Sequence, residues 1–378
     1  MGRGMKLLHT ADLHIGKMMY EFPLYEDQAY ILNQILDIAK KEQVDVLLLA
    51  GDIYDRSIPS TEAVTIFDEF LTACVKAGIV TMVISGNHDS PERLSFGGRL
   101  FEENSLYIAG TWEGDVKQVT LTDDYGEVDF YLLPFIRPGQ VLARTEGEAV
   151  ETIMKDAVFL DKSRRNVLMT HYFVGGTGHE PELSESENTV YVGGIDMVSD
   201  SLFDGFDYVA LGHLHKAQKI GEKQIYYAGS PLAYSFLENS SKSVQLVELK
   251  KPGEVSVKKV PLKPLRQVRT IEGDLWELTK EQIASLENRE DYIRAILTNE
   301  EALMEPMAVL RSVYPNAMEI MLKEKELAAA NQKKQQVTKK RKSGMELFKD
   351  FYAYVQGEDM SGKQLAVAEE MMNKALAK

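Results

Sequence analysis

Apolar residues follow two alternating rhythms along this chain. Short, nearly unbroken runs at 6–10, 44–50, 80–85, 166–170 and 208–211 have the length and composition of buried strands. Positions 24–43 and 60–77 instead repeat apolar residues at helical spacing. The second of these has Ser60 or Thr61 as its N-cap and Gly78 just past its end. Strand and helix in alternation predict an α/β layered fold. From 113 to 133 the pattern becomes hairpin-like around Asp124-Tyr125-Gly126, and a β-rich stretch at 224–261 contains the turn Gly229-Ser230-Pro231. Pro261 and Pro264 then place a domain boundary near 265. Residues 266–330 read as a small α+β unit: a strand around 269–271, a helix around 280–288, a strand around 292–297, then a further helix and strand. The 344–378 stretch shows two amphipathic helices separated between Gly357 and Gly362. No internal repeat is visible.

Composition narrows the class. At ~150 residues per domain, 378 residues suggest two or three domains. With 44% apolar and 27% charged residues, wholesale disorder is excluded. A lone Cys74 excludes a disulfide framework and any CxxC site, and its helical setting predicts a buried structural thiol. The apolar runs fall far short of the ~18–20 residues that span a membrane, and no secretory leader precedes the first strand-like run. Residues 1–4 read as an extension ahead of the patterned sequence. A soluble protein of the reducing cytoplasm, with no membrane partner, is the expectation. The net charge of −15 argues against a surface coated in positive potential. Charge is nonetheless uneven: Lys333, Lys334, Lys339, Lys340, Arg341 and Lys342 crowd ten residues that hold no acid. Residues 331–343 therefore read as a basic linker.

The candidate chemistry gathers directly behind the strand-like runs. In order, the runs lead to Asp12-Leu13-His14, Gly51-Asp52, Gly86-Asn87-His88-Asp89, His171, and Gly212-His213-Leu214-His215. In an open α/β sheet, loops at the carboxyl ends of strands converge on one crevice. Five of the seven histidines lie in these segments; His9 reads as a strand residue and His179 as a loop residue. Carboxylate, imidazole and amide oxygens without thiolate suit Mn²⁺, Fe or Zn²⁺. Two ions need a shared ligand, and a carboxylate at a tight Gly-Asp turn can supply it. With Asp52 as the bridge, Asp12, His14, Asp52 and His215 would hold one ion and Asp52, Asn87, His171 and His213 the other. That ligand count leaves open positions for water and phosphate oxygens, which suits catalysis. Each motif alone has an ordinary reading, with Asp and His as turn, capping or core residues. Five in this order, each behind an apolar run, are not accounted for that way.

The series DLHIG, GDIYDR, GNHD, THYF, GHLH resembles the calcineurin-like metallophosphoesterase superfamily. The stretches HTADLHIGK, GDIYDRSIPS, SGNHDSPERL, HYFVGG, VYVGGIDMV, FDYVALGHLHKAQ and YYAGSPLAYSFLE narrow the resemblance to the SbcD family of double-strand-break-repair nucleases. It extends to ELFKDFYAYVQGEDMS near the C-terminus. The resemblance implies a metallophosphoesterase β-sandwich flanked by helices over 1–265, a DNA-capping α+β domain over 266–330, and a helical pair over 344–378. It implies two Mn²⁺ held by Asp12, His14, Asp52, Asn87, His171, His213 and His215, with His88 acting in phosphoryl chemistry and Asp89 orienting it. Some counterparts carry histidine three places after the bridging aspartate; here Asp55 stands there, and that histidine's role does not transfer.

Function and partners follow as implications of the same resemblance. It implies a DNA exonuclease and endonuclease subunit cutting ends and hairpins, nucleoid-associated in the cytoplasm. The chain would work with an SbcC-type ATPase as a homodimer within a heterotetramer. The tail would dock on the ATPase through Leu347, Phe348, Phe351, Tyr352, Tyr354 and Val355, or else fold back on its own domain. Metal motifs alone do not choose a substrate. The rival readings are a small-molecule or cyclic-nucleotide phosphodiesterase and a mainly DNA-tethering or ATPase-regulating subunit. Lys17, Arg56, Arg93 and Lys216, with Tyr20 and Phe173, are candidate DNA contacts.

Overall fold

The computed structural model describes residues 2–176, 181–183, 197–238, 240–280 and 288–323, with scattered positions between 348 and 371. Fifteen of its strands carry the architecture: β1 Met5–Thr10, β2 Val46–Ala50, β3 Val80–Ile84, β4 Leu106–Ala109, β5 Lys117–Asp123, β6 Gly126–Leu132, β7 Arg165–Thr170, β8 Tyr208–Leu211, β9 Gln218–Ile220, β10 Ile225–Tyr227, β11 Ser243–Leu249, β12 Val255–Pro261, β13 Val268–Gly273, β14 Tyr292–Leu297 and β15 Ala317–Leu322. They form two six-stranded sheets, ordered β12-β11-β1-β2-β3-β4 and β9-β10-β8-β7-β6-β5, and a three-stranded sheet β13-β14-β15. Strands β1 to β4 run parallel, as do β6, β7, β8 and β10; antiparallel strands close the edges.

The two large sheets face one another. Leu7, Val46, Leu48, Met82 and Ile84 of the first pack on Val128, Phe130, Leu132, Val167 and Met169 of the second in a shared buried core. Because these strands are covered on both faces, they read in sequence as continuous apolar runs. The outer face of the first sheet is covered by helices α1 Tyr25–Glu42 and α2 Thr61–Lys76, and that of the second by α3 Glu146–Asp156. Ser60 is the cap of α2, its Oγ accepting from Ala63 N at 3.2 Å. That helix buries Ala63, Phe67, Phe70 and Cys74, spaced for one face, and each phenylalanine contributes about 2 kcal/mol by burial. Burial pushes the Cys74 thiol up to about 12, so it is an inert core group, as its spacing predicts. The expected hairpin is present, with Asp124-Tyr125 as its two-residue turn and Gly126 at φ +107°. Residues 2–4 are tied into the fold. Arg3 reaches the Asp45 carboxylate at 2.8 Å, and a Cβ on Gly4 would sit 2.2 Å from the Leu249 carbonyl oxygen.

The unit after residue 265 has its own core of Ile271, Leu275, Ile293, Ala295, Leu297, Leu310, Tyr314 and Ala317. The helix expected at 280–288 falls largely outside the described residues; the short helices Leu275–Leu278 and Pro306–Arg311 flank the sheet instead. The unit is pinned to α1 by a buried carboxylate: Asp27 Oδ2 accepts from Arg266 Nη1 and from the Tyr292 hydroxyl, each at 2.7 Å. Most of the expected tail helices lies outside the described residues. Phe348, Lys349 and Tyr352, and then Gln364, Leu365, Val367, Ala368 and Met371, are helical where described, and Gln364 Nε2 donates to the Tyr352 hydroxyl at 2.7 Å. Among the described residues, no helix is long and apolar enough to cross a membrane.

Candidate metal centre

Strands β1, β2 and β3 of the first sheet and β7 and β8 of the second end at one edge of the sandwich. The predicted residues follow each of them within five positions. The loops are stitched together by the backbone: Asp12 N donates to Gly51 O at 3.0 Å, His14 N to Asp52 O at 3.0 Å and Ile15 N to Ile53 O at 2.9 Å. Side chains continue the stitching, with Asp12 Oδ1 accepting from His213 N and Asp52 Oδ1 from His88 N, both at 2.9 Å. Asp12, His14, Asp52 and His213 have φ of +53°, +43°, +49° and +97°. Such left-handed backbone at non-glycine residues costs on the order of 1 kcal/mol each and clusters where geometry serves chemistry. Gly51 and Gly86 make the close approach possible. A Cβ on Gly51 would lie 2.3 Å from His171 Nδ1, and one on Gly86 would lie 2.2 Å from Asp52 Oδ1.

The donor atoms converge in two groups. His14 Nε2 and His215 Nε2 stand 3.1 Å apart. On the other side, Asn87 Oδ1 is 3.2 Å from both His171 Nε2 and His213 Nδ1. Asp52 Oδ2 lies between the groups, 3.3 Å from His171 Nε2 and 3.7 Å from His14 Nε2. Asp12, His14 and His215 fall within metal-ligand reach of one another, and so do Asp12, Asp52 and His171. Asp12 thus borders both groups. All seven predicted ligands meet at one place, and Asp52 holds the central position. Two observations fit a divalent cation here: the Asp12 Oδ2 atom is buried without a hydrogen-bond partner, and the Nε2 atoms of His14 and His215 face one another.

Outer contacts set which nitrogen of His171 and of His215 points inward. His171 Nδ1 donates to Ala50 O at 2.8 Å, leaving Nε2 as the inward lone pair. His215 Nδ1 faces Glu238 Oε1 at 3.0 Å, and Glu238 Oε2 is 2.6 Å from Lys242 Nζ. His14 Nδ1 has the Asp55 carboxylate as its outer neighbour at 3.7 Å. Burial would raise Glu238, but His215 and Lys242 hold it down at about 2, so it is ionised. Burial pushes His213 down to about 3 and His14 well below its ordinary value, so both are neutral, which is the ligating form. Burial likewise pushes Asp12 up to about 7. Burial works against charge on His171 too, but Asp52 and Asp12 outweigh it and lift the ring to about 9; Asp52 itself is held far below the carboxylate range. A cation would favour every ionised carboxylate here and displace the proton from His171.

His88 sits exposed at the mouth, its ring edge-on to His14 with centroids 4.8 Å apart. Its Nδ1 is 3.0 Å from the Asp55 carbonyl oxygen. The expectation that Asp89 orients His88 is corrected by the contacts Asp89 makes. Asp89 is buried and accepts from Ile53 N at 3.1 Å, Gly86 N at 2.8 Å and Tyr54 N at 2.9 Å, so it clamps the Asp52 loop to the Asn87 loop. The prediction also missed Glu238 and Tyr234. The Tyr234 hydroxyl donates to Leu13 O, and its ring packs edge-on against His14 and His215. Both lie in the stretch YYAGSPLAYSFLE, which carried a resemblance but assigned no role. Of the candidate DNA contacts, Lys17 pairs with Asp55 at 2.7 Å and Lys216 with Glu182. Phe173 packs against the core beneath the second sheet, and the Tyr20 hydroxyl donates to Glu319 at 2.8 Å. Arg56 is exposed, and Arg93 lines an apolar groove beside α2.

The profile described as calcineurin-like phosphoesterase matches residues 5–217, spanning every predicted ligand. The chain belongs to that family. A second profile, described as the type 5 capsule protein repressor C-terminal domain, matches residues 262–356. Two curated relatives are each named as a subunit of the nuclease SbcCD. The Staphylococcus saprophyticus protein is 35% identical and that of Staphylococcus epidermidis 36% identical, each over 83% of this chain and 84% of the relative. With family and site in agreement, the chain is a metal-dependent phosphoesterase, and the resemblance to the SbcD nucleases holds over most of its length.

Proposed function

We propose that this calcineurin-like phosphoesterase is the nuclease subunit of an SbcCD-type complex, hydrolysing DNA phosphodiester bonds with two Mn²⁺. The observation that carries the reading is the pair of donor groups joined at Asp52, with exposed His88 beside them. Asp12, His14, Asp52 and His215 would hold one ion; Asp52, Asn87, His171 and His213 would hold the other. When bound, such ions polarise a phosphoryl oxygen and supply hydroxide at neutral pH. His88 stands where an imidazole can give a proton to the leaving oxygen, with Nδ1 anchored on the Asp55 backbone and Nε2 left for the transfer. Asp89 keeps the loops bearing Asp52 and Asn87 in register, and Glu238 and Ala50 O orient His215 and His171.

DNA is favoured over a small ester because the relatives matched across both domains are named nucleases. The cytoplasm, near the nucleoid, is the compartment this reading assigns. Residues 344–378 would dock on an SbcC-type ATPase. Val64, Phe96 and Phe101 line an apolar groove beside α2, with Phe96 84% exposed, which supports association of two copies into the heterotetramer. The test compares Mn²⁺-dependent cleavage of single-stranded DNA and duplex ends with that of bis-p-nitrophenyl phosphate and cyclic nucleotides. Specificity constants for DNA should exceed those for the small esters by orders of magnitude; the reverse ranking makes this a small-molecule phosphodiesterase.

A further inference from the structure

One contact between the three-stranded unit and the sandwich falls on the turn that holds His215. Arg294 of β14 pairs in register with Glu319 of β15, and its Nε donates to Glu319 Oε2 at 2.7 Å. The guanidinium carbon of Arg294 stands 4.6 Å from the centroid of the Phe236 ring. Glu319 Oε2 also accepts from the Tyr20 hydroxyl at 2.8 Å, and Tyr20 packs on Phe236 with centroids 5.6 Å apart. Phe236 is buried beneath this cluster. A cation held over an aromatic face away from water is a strong contact, and the fixed planar fork of arginine makes it directional.

Phe236 sits on a tight turn. Leu237 N donates to Ser235 Oγ and Glu238 N to Ser235 O, both at 3.1 Å. Two residues beyond Phe236, Glu238 reaches His215 Nδ1. The turn is therefore gripped at one position by the three-stranded unit and applied at another to a metal-binding ring. Tyr20 brings the same cluster to the loop that follows His14, whose Nε2 lies beside that of His215.

We propose that Arg294 is a positioning residue for the metal site of His14 and His215: held between Glu319 and Phe236, it fixes the 235–238 turn so that Glu238 keeps His215 Nε2 aimed at the ion. The proposal rests on the two-ion reading above and gives the three-stranded unit a part in metal binding itself. Partners that orient a ligating imidazole typically change metal affinity 10- to 100-fold when removed. Arg294 acts one contact further out, so about 10-fold is expected.

The experiment is a calorimetric Mn²⁺ titration of the metal-free full chain, with Glu238→Gln marking which binding event belongs to the His215 site. Arg294→Ala should weaken that same event about 10-fold and leave the other within twofold. Arg294→Lys, which keeps the charge but not the planar fork, should recover less than half of the loss. Added to Glu238→Gln, Arg294→Ala should produce no further loss, because the carboxylate through which it acts is already altered. Phe236→Leu keeps apolar volume without the ring and should weaken the same event, which guards against misfolding of one variant. Unchanged affinities in Arg294→Ala and Phe236→Leu, or losses that multiply fully with Glu238→Gln, overturn the proposal. A wild-type chain that takes up fewer than two ions instead overturns the two-ion reading, and this proposal with it.

Discussion

Nδ1 of His88 meets the backbone carbonyl of Asp55 at 3.0 Å, while Asp89, its neighbour in sequence, spends both carboxylate oxygens on the amides of Ile53, Tyr54 and Gly86. Adjacent residues thus have separate duties. One presents an imidazole at the mouth, and the other ties the Asp52 and Asn87 loops together from behind. Asp55 N is itself fixed on Ile15 O at 3.1 Å, so the carbonyl that meets the His88 ring is held by backbone.

His88→Ala should therefore leave Mn²⁺ uptake and thermal stability close to wild type while slowing DNA cleavage about 10²-fold or more. Metal content and single-turnover rates, measured on one preparation, check this. Loss of metal before loss of rate would make His88 a ligand.

Asp89→Ala should behave differently. It strands three backbone donors in a buried place, at a cost of at least about 2 kcal/mol. Melting should fall by several degrees, and Mn²⁺ affinity should fall with it because the Asp52 and Asn87 loops lose their tie. A variant that melts like wild type and loses only rate would return Asp89 to the orienting role.

Asp52→Asn removes the charge shared between both donor groups. A bound ligand at a hundredfold excess over its Kd raises stability by about 2.7 kcal/mol, so Mn²⁺ should raise the wild-type Tm clearly. The variant should show little of that rise, fewer than one ion per chain, and cleavage lowered about 10²-fold or more. Two retained ions with normal cleavage would remove Asp52 from the bridge.

Arg165 is among the most deeply buried side chains of the fold and pairs with both oxygens of Asp123 at 2.6 and 2.8 Å. Burial would raise Asp123, but the Arg165 hydrogen bonds hold its carboxyl below the usual range. A depressed carboxylate adds stability above its unfolded pKa, ~3.9, and loses it as pH falls through the folded value. Asp123→Ala should cost about 3 kcal/mol at pH 7, and the gap in Tm from wild type should narrow steadily below pH 4. A gap independent of pH would show that packing, not charge, is lost.

Removing residues 336–378 should leave the candidate metal centre folded and basal cleavage of short single-stranded DNA intact, since every proposed ligand precedes residue 216. Co-purification with an SbcC-type ATPase should be abolished, and Phe348→Asp with Phe351→Asp should reproduce that loss. A truncated chain that melts far lower would place the tail on its own domain.

The strands that carry the ligands were legible because burial on both faces makes them continuous apolar runs. For the same reason, periodicity alone did not reveal that β1–β3 and β7–β8 belong to different sheets, since alternation with helices looks alike in one open sheet or two facing ones; the sandwich came from the family resemblance. The candidate ligands could be picked out because they stand directly behind those runs. Glu238, Tyr234 and the true duty of Asp89 were not, since an outer carboxylate or hydroxyl carries no spacing of its own. It acts on a group distant in sequence, as Glu238 does on His215, 23 residues away. The short helix Leu275–Leu278 escaped because four residues are too few for a period to register.

The five ligand-bearing strands are shared between facing sheets, three in one and two in the other. Each donor group therefore takes residues from both: Asp12, His14 and Asp52 come from the first sheet with His215 from the second, and Asn87 from the first with His171 and His213 from the second. A chain cut in the 111–116 connection would yield two fragments, neither holding a complete donor group, that regain one only by reassembling. On the proposed two-ion reading, metal uptake would report on interlayer docking. A fragment-complementation assay read by Mn²⁺ binding would detect assembly of the sandwich before any DNA is added.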